Sequence, residues 1–241
     1  MLIQAKQLTN RQLNDYIRAS GDSDIQIEEL YGQRYLACGS AGRRFTLRGT
    51  PGNALGQYLN GSTVEVFGNC QEAVGDTMND GSIIIHGSCG DACGYAMRGG
   101  SIFIEGNVGY RAGIHMKSYL DKCPLLVVGG SAGSFLGEYQ AGGTIVVLGR
   151  NTSQAPVVGN FCGMGMYGGK IFLRGGYLPP LPDRLVVREA DQADLAELHP
   201  ILERFCSHFG TDLSEIESAP FHVLTPDSAN PYKQLYVTNE Q

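Results

Sequence analysis

Residues 81–116 read GSIIIHGSCGDACGYAMRGGSIFIEGNVGYRAGIHM. Two apolar runs, Ile83-Ile84-Ile85 and Ile102-Phe103-Ile104, each stop two residues short of a glycine, Gly87 and Gly106. Gly94 and Gly113 keep the same 19-residue step, and so do Met97 and Met116. Registered self-similarity of this kind is the mark of a repeat architecture, in which each unit buries its apolar face only by stacking on the next.

The pattern extends in both directions. Glycines close the segments FTLRG, VEVFG, IIIHG, IFIEG, LLVVG, IVVLG and IFLRG at Gly49, Gly68, Gly87, Gly106, Gly129, Gly149 and Gly175, with spacings of 19, 19, 19, 23, 20 and 26. Gly56, Gly75, Gly94 and Gly113 form a second column, and Gly81, Gly100, Gly143 and Gly169 a third. Four residues before each marker stand Phe45, Val64, Ile83, Ile102, Leu125, Ile145 and Ile171, and two before stand Leu47, Val66, Ile85, Ile104, Val127, Val147 and Leu173. All are apolar with a period of two, so each segment is a strand with this pair facing inward. A 19-residue unit has no room for a strand and a covering helix, and glycine corners supply positive φ without steric cost. The expected fold is therefore all-β, a right-handed parallel β-helix of about seven coils over residues 41–176.

Stacking predicts a ladder of Met78, Met97 and Met116, and it places Cys70 beside Cys89, close enough for a disulfide although a pair of reduced thiols suits the same position. Cys93 should stack with Val74 and Ala112. Three residues before the markers, an outward column reads Thr46, Glu65, Ile84, Phe103, Leu126, Val146 and Phe172. Its apolar members Ile84, Phe103, Leu126, Val146 and Phe172 form a stripe that needs cover, from the C-terminal helix or from another protein chain.

Residues 1–40 and 177–241 flank the repeat. In the first, Thr9 and Gln12 make a capping box for a helix, Leu8 and Leu13 a staple, and Gly21 a stop. Extended structure is expected over residues 25–38. In the second, a helix is expected over residues 190–209, with Leu195, Leu198, Leu202 and Phe205 on one side and Pro200 kinking or splitting it. A short helix near Asp212 and Glu215 follows, then a proline-containing surface tail from Pro220.

Composition bounds the function. The chain has 241 residues, a net charge of −6, 34 glycines, seven cysteines and no tryptophan. An acidic balance argues against a nucleic-acid partner. No 18-residue apolar run is present for a membrane span, and MLIQAKQLTN lacks the pattern of a signal peptide, so a cytoplasmic location is expected. Chemistry is sparse. Gly163–Gly168 matches G-x-G-x-x-G but runs into a strand, whereas a dinucleotide site needs a helix N-terminus there. Cys89 and Cys93 form a C-x₃-C pair without a second pair. His86 lies in a mixed outward column next to Glu105. A free-standing enzyme using Cys89, Cys93 and His86 remains an alternative, but no catalytic, cofactor-binding or metal residue is assigned.

The coils quoted above, with GGTIVVLG, resemble the GXGXG domain, the C-terminal β-helix domain of the glutamate synthase large subunit, over about residues 40–176. The segments LAELHPILERFCSHFGTDLSEI and FHVLTP resemble that domain's helical tail. The resemblance implies a non-catalytic, structural subunit of a glutamate synthase-type complex. Its expected partners are a glutamine amidotransferase subunit and an FMN/iron–sulfur synthase subunit, with no cofactor in this chain. Related alternatives are a subunit of N-methylglutamate synthase, or the related β-helix subunit of a formylmethanofuran dehydrogenase-like complex, whose partners would carry a molybdopterin or tungstopterin.

Overall fold

One sheet runs the length of the protein in this computed structural model, which describes residues 1–152 and 154–228. In chain order the elements are β1 (Leu2–Gln4), α1 (Asn10–Ala19), β2 (Asp24–Tyr31), β3 (Arg44–Thr50), β4 (Asn60–Phe67), β5 (Asp80–Ile85), β6 (Ser101–Ile104), β7 (Leu125–Val128), β8 (Ala141–Val147), β9 (Gly168–Arg174), β10 (Leu185–Glu189), α2 (Gln192–Phe209), α3 (Leu213–Glu217) and β11 (Phe221–Pro226). The eleven strands lie in sequence order through β9, followed by β11 and then β10. Pairing is parallel from β1 to β9 and antiparallel for β11 with β9 and β10 with β11.

This corrects the expected architecture. A right-handed parallel β-helix, all-β and with strands on two or three faces of each coil, is not what forms. Among the described residues there is a single, mostly parallel sheet with three helices, and the segments returning from one strand to the next are turns joined by isolated bridges such as Cys70 to Cys89 and Cys89 to Val108. The backbone explains why no second sheet face develops. Within one return segment Ala73, Gly75 and Thr77 all have left-handed φ, at 57°, 67° and 50°. Alternate left-handed residues cannot hold the extended geometry of a strand. They still satisfy the main chain: Ala73 N–H donates forward to Asp91 O and Thr77 N–H to Tyr95 O, while Gly75 N–H donates back to Leu55 O, each at 2.8 Å. The units are thus hydrogen-bonded on both sides of the core without strands on both sides.

The inward columns build the core. Phe45, Val64, Ile83, Ile102, Ile145 and Ile171 are all fully buried in one cluster. Met78, Met97 and Met116 are fully buried in that cluster, and Arg98 N–H donates to Met78 O at 2.8 Å and Lys117 N–H to Met97 O at 3.0 Å, which gives the expected ladder. Gly94 N–H donates to Val74 O and Gly113 N–H to Cys93 O, placing Cys93 between Val74 and Ala112 as expected. All seven cysteines are free thiols, so Cys70 and Cys89 are neighbours without a disulfide.

The fifth unit is shifted. Ile102 pairs with Leu126, not Leu125, and Leu126 in turn with Ile145. Gly130, not Gly129, is the marker: its N–H donates to Gly106 O at 2.8 Å, and its carbonyl accepts from Gly149 N–H at 2.9 Å. Leu126 and Val128 therefore face the core, and Leu125 and Val127 face outward. An all-apolar LLVV carries no alternation to fix its phase, and a one-residue slip reverses every side chain.

The ends join the sheet. α1 starts at Thr9 with the expected capping box, but it stops at an extended Ser20 before Gly21. α2 runs unbroken through Pro200, starts at an Asp191–Asp194 capping box and ends at a left-handed Gly210. Leu195 is exposed, while Leu198, Leu202 and Phe205 are buried. The expected surface tail from Pro220 instead opens as β11, inserted between β9 and β10; residues 229–241 lie outside the described residues.

Candidate functional site

The outward face of the sheet is where the chain commits its spare apolar surface. Phe103, Leu125, Val127, Val146, Leu148 and Phe172 form a second buried cluster with Leu198, Leu202 and Phe205 of α2, Ile216 of α3, and Phe221 and Val223 of β11. Of the candidate partner-interface residues, Phe103, Val146 and Phe172 lie in this cluster, Ile84 is buried near it with 4% exposure, and Leu126 belongs to the inner core. The chain's own tail covers Phe103, Val146 and Phe172.

At one end of that interface His86 stacks on Phe67 with ring centroids 4.6 Å apart, and it meets Phe209 of α2 edge-on at 5.2 Å. Its Nε2 lies 3.0 Å from Glu65 Oε1. His208, also on α2, packs on Phe103, and burial beside Arg204 holds its imidazole below the ordinary histidine range. At the other end of α2, Arg188 of β10 pairs with the buried Asp194, whose carboxyl this hydrogen bond brings down to about 2. An ion pair at the start of α2 and ring contacts at its end thus hold the helix on the sheet.

The alternative catalytic set does not assemble. Cys89 and Cys93 point into the core on one side of the sheet, whereas His86 stands on the opposite face against Phe67 and Phe209. A hydrogen bond with Cys93 and burial push the Cys89 thiol well above its ordinary value, burial does the same for Cys70, and burial pushes Cys162 up to about 12. Protonated, buried thiols are poor nucleophiles and poor ligands. Among the described residues no group of three or more His, Cys, Asp or Glu is placed to hold a metal ion. Gly163 and Gly165 of the G-x-G-x-x-G match are left-handed turn residues leading into β9, with no helix to receive a phosphate.

A feature missed in the sequence lies on the turn side. One left-handed position holds Tyr35, then Ala54, Ala73 and Ala92, then Arg111, Phe135 and Phe161. Phe135 and Phe161 stack at 5.0 Å, Arg111 sits 4.8 Å over Phe135, and His115 stacks on Tyr139 at 5.3 Å. Tyr95, Tyr110, Tyr139 and Phe161 are exposed. Bulky residues at positive φ are costly, and the same turns form with alanine at Ala54, Ala73 and Ala92; the ring contacts offset part of that cost.

A family model for the GXGXG motif matches residues 6–217. The chain belongs to the GXGXG motif family. An uncharacterized protein of Methanocaldococcus jannaschii, MJ1350, is 40% identical over 250 aligned residues that cover 98% of this chain and 96% of that protein. The fold is shared with a chain of the formyltransferase/hydrolase complex FhcABCD from Methylorubrum extorquens, solved with methylofuran, at a TM-score of 0.67 and 21% identity, covering 93% of this chain and 90% of that one. Coverage this wide takes in most of the helical tail, so the tail is part of the shared fold. Among the described residues no helix is long and apolar enough to cross a membrane.

Proposed function

We propose that this GXGXG protein is a non-catalytic member of a complex of several subunits, and that the complex belongs to the formyl-transferring or formylmethanofuran dehydrogenase-like kind. The likeness over almost the whole of both chains to a component of the FhcABCD complex carries this reading. Two features of the chain support it. Cys89 and Cys93 are buried in the core and stand on the opposite face of the sheet from His86, so among the described residues this thiol–histidine set leaves no nucleophile paired with a base. The exposed aromatics on the turn side are of the residue types enriched where subunits meet.

Family membership supports a second reading, a separate subunit of a glutamate synthase-type complex with glutamine amidotransferase and FMN/iron–sulfur partners. Affinity purification of the tagged chain from its own cells, followed by mass spectrometry of the co-eluting proteins, decides between them. Formyltransferase, hydrolase or pterin-carrying dehydrogenase subunits are expected. Glutaminase and flavoprotein partners would transfer the assignment to the second reading, and elution as a lone chain would end both.

A further inference from the structure

We propose that the cavity at the carboxyl ends of β8 and β9 is a binding site for a small-molecule oxyanion, whose carboxylate or phosphate group is held by Arg150 and Arg174. The cavity measures ≈530 Å³, and Asn151, Thr152, Tyr177 and Glu215 are among its other walls. That size falls in the range of about 300–1,000 Å³ usual for small-ligand sites.

The two guanidinium groups are held by neutral partners. Arg174 donates from Nε to Ile216 O at 2.6 Å, from Nη2 to Glu215 O at 2.8 Å and from Nη1 to Leu148 O at 3.5 Å. All three acceptors are main-chain carbonyls, which fix the fork without cancelling its charge. Arg150 lies 5.8 Å over the Phe205 ring. Among the described residues neither arginine has a carboxylate within ion-pair distance, Glu215 included. Burial lowers the Arg174 pKa; the Glu215 charge opposes this and the Arg150 charge adds to it. A pair of like charges facing one cavity is relieved by a bound oxyanion: Arg174 keeps one N–H on Nη1 and one on Nη2 beyond those given to carbonyls, and the Arg150 fork matches carboxylate and phosphate.

The sequence built this place separately from the repeat. The step from Gly149 to Gly175 is 26 residues against the regular 19, and the extra chain after Gly149 supplies Arg150, Asn151 and Thr152. Insertions in a repeat array gather on its binding face. The position, outside the carboxyl ends of neighbouring parallel strands, is where open parallel sheets take ligands. Glu215, Ala219 and Pro220 bring the tail to the same cavity, so a ligand there would bridge sheet and tail. The site stands independently of the complex to which the chain is assigned.

The test uses the full chain with inorganic phosphate and succinate as separate probes, at constant ionic strength maintained with chloride. Calorimetric titration should show saturable binding of at least one probe, and the probe that binds assigns the acid group. Arg150 is exposed, so Arg150→Gln should fold, and it should weaken binding by about tenfold or more, with Arg150→Lys in between. In the wild type the same probe should protect Arg150 from modification by phenylglyoxal. If neither probe binds, or if Arg150→Gln binds as the wild type does, the proposal is overturned.

Discussion

The guanidinium carbon of Arg204 stands 4.8 Å from the centre of the Phe103 ring, and Arg204 Nη2 donates to Ser101 Oγ at 3.0 Å. A single tail side chain thus closes over the ring and ties itself to the start of the same strand. Phe103 is fully buried beneath α2. Phe103→Ala should cost about 3–5 kcal/mol, measured by equilibrium urea unfolding. Phe103→Asp should release α2, seen as protease cleavage between residues 190 and 210. Cleavage no faster than in the wild type would show that the tail does not depend on this contact.

Gly113 tests the turn ladder. Its φ is +66°, and a Cβ there would meet Ile145 Cδ1 at 2.5 Å. Gly113→Ala combines left-handed strain with overpacking and should cost about 2–5 kcal/mol. Ile145→Val removes the obstructing methyl, so the double variant should regain about 1 kcal/mol relative to additivity. Purely additive losses in a denaturation cycle would refute the steric part.

Two ion pairs hold the tail in opposite pH windows. The hydrogen bond from Arg188 depresses Asp194 to about 2, so its contribution is present above the unfolded value of about 3.9 and is lost as pH falls through about 2. Between these limits the wild type should lose stability relative to Asp194→Asn. The hydrogen bond with Glu217 raises His199 above its ordinary value. That contribution is complete below about pH 6.5 and disappears as pH rises through the folded value. His199→Gln should therefore differ from the wild type in mild acid and converge with it in alkali. Parallel stability–pH profiles would contradict either assignment.

Thiol labelling separates surface from core. Cys38 and Cys123 are exposed, while Cys70, Cys89, Cys93 and Cys162 are buried. A maleimide reagent should modify Cys123 rapidly in the folded protein and reach the four buried thiols only at the rate of unfolding. Rapid native-state labelling of Cys89 or Cys93 would reopen the case for a reactive pair.

The inward columns are legible in the sequence because alternation at Phe45-Thr46-Leu47 and Val64-Glu65-Val66 fixes the phase, and the 19-residue step carries it to Ile83-Ile85 and Ile102-Ile104. The phase is lost at Leu125–Val128, where every residue is apolar and Gly129 and Gly130 offer two markers. The overall architecture is not legible in the same way. Glycine columns reveal that units stack, while the conformation of the return segments rests on alanines, threonine and aromatics at left-handed positions that no composition rule marks. The cover on the outer stripe is legible as a need, since Phe103 and Phe172 could not remain bare. The pairing of Arg150 with Arg174 is hidden, because it depends on a fold that brings residues 24 positions apart to one cavity with the tail closing over it.

The proposed role of this chain is to organise other subunits without contributing chemistry. It is tested most directly by the turnover of the purified native complex carrying His86→Gln, Cys89→Ser and Cys93→Ser together, with the stoichiometry of the subunits measured on the same sample. Turnover equal to the wild type in a fully assembled complex is predicted. A fully assembled complex that has lost its turnover would contradict the account.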